Sequence, residues 1–242
     1  MTRNIGWVVG LVIAGCGTAQ ADTVVTGTVG ATSDLVFRGL SLTRGRPAAQ
    51  ISVDFEFPNE FYFGAFAATT DTNPGPSPSY EVDLWAGRYW SLSENFSADL
   101  RLSHYAYPDD PRHIPYDRNE ITGTIGFRNQ LYLSAIYSPE IRALGSSAAY
   151  HDNGSAWAVE VSGRRALNEH WALSAGVGHY DLAQVYDDSY SYWNATVTAS
   201  LPPFELQLAY LGVSSHAARH FDSGSVGDRI ALTALWRFSA TP

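Results

Sequence analysis

From residue 22 onward, apolar and polar positions alternate with period two along most of the chain, the pattern of a strand with one apolar face. Phe96, Ala98, Leu100, Leu102 and Ala106 share one face, against Ser97, Asp99, Arg101, Ser103 and Tyr105 on the other. Ile121, Gly123, Ile125 and Phe127 likewise oppose Glu120, Thr122, Thr124 and Arg128. Ile51, Val53, Phe55 and Phe57 oppose Gln50, Ser52, Asp54 and Glu56. Toward the end, Ile230, Leu232, Ala234, Trp236 and Phe238 form an apolar row, with Leu235 interrupting the polar face. The pattern predicts twelve strands and no helix, with strands at 24–37, 47–57, 60–70, 79–90, 96–107, 118–128, 130–138, 155–166, 171–181, 190–200, 204–214 and 227–238. Most approach the roughly 9–11 residues that a tilted strand needs to cross a bilayer. Strands of soluble domains are nearer five or six.

The connections sharpen this. Short links such as 58–59, 129, 167–170 and 201–203 alternate with long ones at 38–46, 71–78, 108–117, 139–154, 182–189 and 215–226. Short turns on one side and long loops on the other are the habit of outer-membrane barrels. Aromatic residues are expected at both membrane interfaces. Phe57, Phe61, Trp90, Phe96, Phe127, Trp171, Phe204 and Phe238 fall beside the short turns, and Phe37, Tyr80, Tyr107, Tyr137, Tyr180, Tyr192 and Tyr210 fall toward the long loops. The fold class expected is therefore all-β, a transmembrane antiparallel up-and-down β-barrel of about 12 strands.

The amino-terminal segment changes the domain picture. Arg3 precedes a short apolar core, and Ala19-Gln20-Ala21 supplies small residues for cleavage, which reads as a secretory signal peptide at 1–21 with a single barrel domain at 22–242. Ile13-Ala14-Gly15-Cys16 also resembles a lipobox, in which Cys16 would be acylated instead. Cleavage after Ala21 leaves no cysteine, so disulfides and thiol chemistry drop out. The formal charge of −9 argues against a nucleic-acid partner. Every basic side chain is arginine, suited to bidentate ion pairs in a confined polar interior.

The run Ser33-Asp34, Phe37-Arg38-Gly39, Ser41, Thr43, Pro47-Ala48 and Gln50 resembles the opening of the proteobacterial Gcw_chp family. YEVDLWAGRYW and LRLSHYAYPDD resemble the family's next block, through Glu81, Asp83, Leu84, Gly87, Tyr105, Tyr107 and Pro108. The resemblance covers 22–140, with departures at Leu35 and at Ile51-Ser52. It implies an exported porin-like barrel of the outer membrane, and brings with it no substrate, reaction or catalytic residue.

Alternation sends one set of charges inward: Asp34, Arg38, Asp54, Glu56, Glu81, Asp83, Asp99, Arg101, Glu120, Arg128, Glu160, Arg164, Glu205, Arg229 and Arg237. Charges cannot face hydrocarbon cheaply, an arginine at mid-depth costing about 2–4 kcal/mol. These side chains either select small solutes in a narrow channel or pair with one another in a plugged interior, and twelve strands lie between filled and open barrels. The expected partners are outer-membrane lipid, small solutes and, through Arg44 and Arg46, lipopolysaccharide phosphates; no cofactor is expected. Ser214 and His216 share a face and are the one spacing suited to a lipid-modifying dyad, though a polar strand end explains them better. Asp109, Asp110, His113 and Asp117, and separately His216, His220 and Asp222, could ligate a metal, but solvated acidic loops account for both sets. The strand glycines have no following helix and no lysine, so they mark close side-chain approach and not a phosphate loop.

Overall fold

The computed structural model describes residues 22–72, 77–110, 117–142 and 153–240. The predicted signal peptide, Cys16 and His113 lie outside the described residues. The chain runs through β1 (Val24–Thr32), β2 (Val36–Phe37), β3 (Leu40–Ser41), β4 (Ala48–Glu56), β5 (Phe61–Thr69), β6 (Tyr80–Ser91) and β7 (Phe96–Ala106). It continues through β8 (Arg118–Phe127), β9 (Leu131–Arg142), β10 (Asn153–Ala166), β11 (Trp171–Asp181), β12 (Ser189–Leu201), β13 (Phe204–Val213) and β14 (Arg229–Ala240). All but β2 and β3 form one closed antiparallel barrel, in which each strand pairs with its sequence neighbour and β14 closes on β1. Closure leaves no unpaired strand edge, which a spanning sheet in lipid requires.

Alternation is what lets the sheet close with lipid outside. Leu84, Leu102, Ile121, Leu133, Val161, Leu208 and Leu232 point outward and are exposed, Leu102 at 56% and Ile230 at 71%. Their sequence neighbours Asp83, Ser103, Glu120, Thr122, Ser134 and Gln207 are buried within the barrel. A water-soluble sandwich would place these two sets the other way round. At the short-turn end, outward rings cluster in pairs such as Phe55 on Phe63, stacked at 4.6 Å, and Phe96 on Phe127 at 5.1 Å.

The structure departs from expectation in the first strand. The wall strand ends at Thr32, not at 37. Beyond it, β2 and β3 form a separate two-stranded ribbon closed by Arg38 and Gly39, both at positive φ (47° and 79°), as a tight hairpin twist demands. Apolar parity continues through this stretch, so periodicity alone could not separate ribbon from wall. Two short helical turns were also unforeseen: α1 (Ala183–Tyr186) and a single 3-10 turn at Ala217–Arg219. Both are too short to register as a helical period. At the long-loop end, Tyr80, Tyr137 and Tyr210 are exposed, but Tyr107, Tyr180 and Tyr192 are buried. Part of the expected outer aromatic belt therefore packs inside the barrel.

Candidate functional site

The interior is built in two levels, and the ribbon forms the outer one. Arg38 at its tip reaches Glu120 on β8, with both guanidinium nitrogens donating at 2.8 Å. Going around the barrel, β8 stands five strands from β1 in one direction and seven in the other. The ribbon thus crosses the lumen to the far wall. Side-chain exposure is 6% for Arg38 and 1% for Glu120. Arg118 lies 3.5 Å from the same carboxylate, and the Ser138 hydroxyl donates to it at 3.1 Å. Arg38 also sits 4.6 Å from the Phe37 ring and 4.7 Å from Tyr180, while Arg118 covers Tyr105 at 4.0 Å, contacts that favour a planar cation.

The base of the ribbon is held as firmly. Asp34 accepts hydrogen bonds from Ser41 (2.5 Å) and Thr43 (2.8 Å) and pairs with Arg229 at 3.1 Å. Leu35, Ala48 and Ala68, with Leu42 and Phe66, form a small apolar cluster where the ribbon leaves the wall. Gly39 is needed at the tip, since a side chain there would come within 2.8 Å of the Gly212 carbonyl.

Two further loops lock over the ribbon. Val185 and Tyr186 of α1 are buried, and the rings of Tyr186 and Phe221 lie 5.6 Å apart. Asp188 pairs with His220 at 2.9 Å and Arg219 at 3.2 Å. The hydrogen bond from His220 is the main reason its carboxyl titrates at about 2, below the ordinary 3.8. Arg44 pairs with Asp222 at 3.0 Å, and the Ser41 N–H donates to the Ser225 carbonyl at 2.8 Å.

On the opposite, short-turn side the interior is held differently. The Trp85 indole donates to Asp54 at 3.1 Å, the Tyr62 hydroxyl to Asp99 at 2.8 Å, and at mid-height the Tyr192 hydroxyl to Glu160 at 2.5 Å. In each case the ring lies flat across a glycine of the neighbouring strand: Gly64 under Trp85, Gly87 under Tyr62 and Gly178 under Tyr192. A Cβ at any of these glycines would collide with the ring, so the glycine makes the hydrogen bond geometrically available. Glu205 pairs with Arg237 and accepts from Gln207 at 2.7 Å. Asp99 Oδ1, Arg101 Nε and Arg164 Nη1 on this side, and Asp83 Oδ1 nearer the ribbon, are buried atoms without a hydrogen-bond partner among the described residues. Beside the ribbon, between β1, β4, β5 and β12–β14, a cavity of about 90 Å³ remains, lined by threonine, serine and glutamine side chains mixed with leucine, alanine, valine and phenylalanine.

The sequence-derived interior set divides accordingly. Asp34 and Arg38 belong to the ribbon and its base, not to the wall. Asp54, Glu81, Asp83, Asp99, Glu120 and Glu205 are buried wall residues; Glu56, Arg101, Glu160, Arg164, Arg229 and Arg237 are half-buried on the same strands. Arg128 has the right parity but falls one residue past β8, in a turn at φ 52°, exposed and bonded to Asn95 at 3.0 Å. The strand ends before its side chain can turn inward. Arg118 was missed, although it shares the parity of Glu120; Tyr62, Trp85 and Tyr192 were missed because alternation sorts charges more clearly than aromatics.

The loop candidates are engaged elsewhere. Arg46 pairs with Asp71 and Arg44 with Asp222. Ser214 lies beyond β13, and its hydroxyl accepts the Ser191 N–H at 3.1 Å. Asp109 holds Ser79, Asp117 accepts the Tyr107 N–H, and His220 faces Asp188. No group of three or more candidate metal ligands gathers among the described residues.

With this geometry in view, solved structures resemble the chain in fold. KdgM porin, one structure of which is in complex with disordered oligogalacturonate, superposes with a TM-score of 0.54 at 8% identity, covering 89% of this chain and 99% of that one. NanC porin gives 0.57 at 10% identity, covering 88% and 98%. The COG4313 outer membrane channel from Pseudomonas putida F1 gives 0.50 at 10% identity, covering 92% and 97%. Among curated proteins there is no match. The sequence profile of Gcw_chp, described as a bacterial protein of unknown function, matches residues 17–238.

Proposed function

The chain belongs to the Gcw_chp family, and from that premise we propose that it is exported through a cleaved signal peptide and works in the outer membrane as a narrow passive channel for small solutes. The porin-like fold supports the location, because a sheet with lipid-compatible side chains outside and charges inside is stable only across a bilayer. One observation carries the channel reading: the ribbon crosses the lumen without filling it, leaving a cavity of about 90 Å³ at its side with threonine, serine and glutamine in its lining. That space holds on the order of a few waters at rest. The lumen-facing charges act as wall, holding the ribbon in place and keeping the interior wet. The His179 imidazole and the Ser191 hydroxyl lie 3.1 Å apart on β11 and β12, but no carboxylate among the described hydrogen bonds orients that imidazole, so an outer-membrane lipid enzyme gains little from the geometry.

Refolded mature protein in a planar bilayer tests this. Small, discrete current steps are the expected result. Persistent silence at high salt would instead make the barrel a closed structural or surface-interaction protein.

A further inference from the structure

We infer that the passage beside the ribbon favours cations and small neutral polar solutes and rejects anions, an inference that rests on the channel reading above. The first observation is the wall of the cavity. Thr28, Ser52, Thr196 and Gln207 line it together with apolar side chains such as Leu35, Phe66 and Leu211; Asp34, paired with Arg229, is its charged member, and no arginine is among the lining residues. An anion entering this space finds no guanidinium free to replace its lost hydration.

The second observation is how the interior charges are neutralised. The ribbon-level arginines Arg38, Arg118 and Arg229 are spent on Glu120 and Asp34, and Arg237 on Glu205. Asp54, Asp99 and Glu160, by contrast, take their hydrogen bonds from Trp85, Tyr62 and Tyr192. Those donors are neutral, so they orient the carboxylates without cancelling their charge. Arg101 and Arg164 also face the interior, from β7 and β10, yet inward carboxylates still outnumber inward guanidiniums. Asp99 is 4% exposed and keeps one oxygen without a hydrogen-bond partner among the described residues. In a narrow lumen with low-dielectric walls such a surplus is focused and not screened as it would be at a surface.

A solute rich in carboxylates, such as the oligogalacturonate named with KdgM porin, is therefore a poor fit to this lumen.

The test is the reversal potential of the refolded mature protein in a planar bilayer under a tenfold potassium chloride gradient. The expected sign is that of potassium preference, with a permeability ratio over chloride of about threefold or more. Asp54→Asn with Asp99→Asn keeps the acceptor oxygens for Trp85 and Tyr62 but removes the charges, and should move the potential toward zero at similar conductance. Heat-dependent gel mobility confirms that the variant is folded. Chloride preference, or a potential near zero in the unaltered protein, overturns the inference while leaving a channel in place. Absence of any current step overturns the channel reading and the inference together.

Discussion

The two levels of the interior solve the same problem, polar groups enclosed by a membrane-spanning sheet, in different ways. At the ribbon level, Arg38, Arg118 and Glu120 form a compact ion cluster braced by aromatic rings, with Ser138 supplying a further hydrogen bond. Nearer the short turns, Asp54 and Asp99 are held by neutral aromatic donors laid over glycines, and buried atoms of Asp99 and Arg101 have no hydrogen-bond partner among the described residues. The first arrangement fixes one position of a loop across the lumen. The second leaves charge and hydrogen-bonding capacity available to water and solute. A wall can thus be rigid at one height and receptive at another within a single sheet.

Each level can be broken separately, and the largest effect belongs to Glu120. Glu120→Ala strands two buried guanidiniums and should cost about 3–5 kcal/mol of unfolding free energy in detergent micelles. Arg38→Ala should cost clearly less, because Glu120 keeps Arg118 at 3.5 Å. Equal losses would mean that Arg118 does not share the carboxylate. Next comes the aromatic-over-glycine device. Gly87→Val drives a side chain into Tyr62 and should destabilise by about 1–3 kcal/mol. Gly123→Ala meets nothing within 4 Å and should stay within about 0.5 kcal/mol. Similar values at both positions would remove the packing role assigned to Gly87.

The smallest effect is expected from acid. Asp188 titrates at about 2 when folded, below its ordinary 3.8. Its contribution to loop docking is therefore complete above pH 4 and lost as pH falls toward 2. Hydrogen exchange at residues 183–188 should quicken over that interval, while the barrel strands stay protected. Asp188→Asn should abolish the pH response; a response that survives it would place the titrating group elsewhere.

Much of this was legible in the sequence, because alternation, strand length and the rhythm of short and long connections are direct consequences of lipid outside and water inside. Strand β11 matches its predicted bounds residue for residue. The ribbon was not legible as such. Its residues carry the family resemblance, through Asp34, Arg38, Gly39, Ser41 and Thr43, yet they continue the parity of β1, and the end of wall pairing at Thr32 together with the Asp34 hydrogen bonds shows that the chain leaves the wall. Arg128 failed for a related reason: parity persists past the point where a strand stops. The inward tyrosines escaped notice because a tyrosine near a loop suits either an interface or a polar interior.

The central claim is that residues 33–47 cross the lumen and set its width. Single-channel conductance of the mature protein, measured beside a variant in which Val36–Ser41 is replaced by a short glycine-serine link, tests it most directly. The variant keeps every barrel strand, so it should insert as the parent does and conduct several-fold more. Equal conductance in the two proteins would contradict the account, placing the constriction somewhere other than the ribbon.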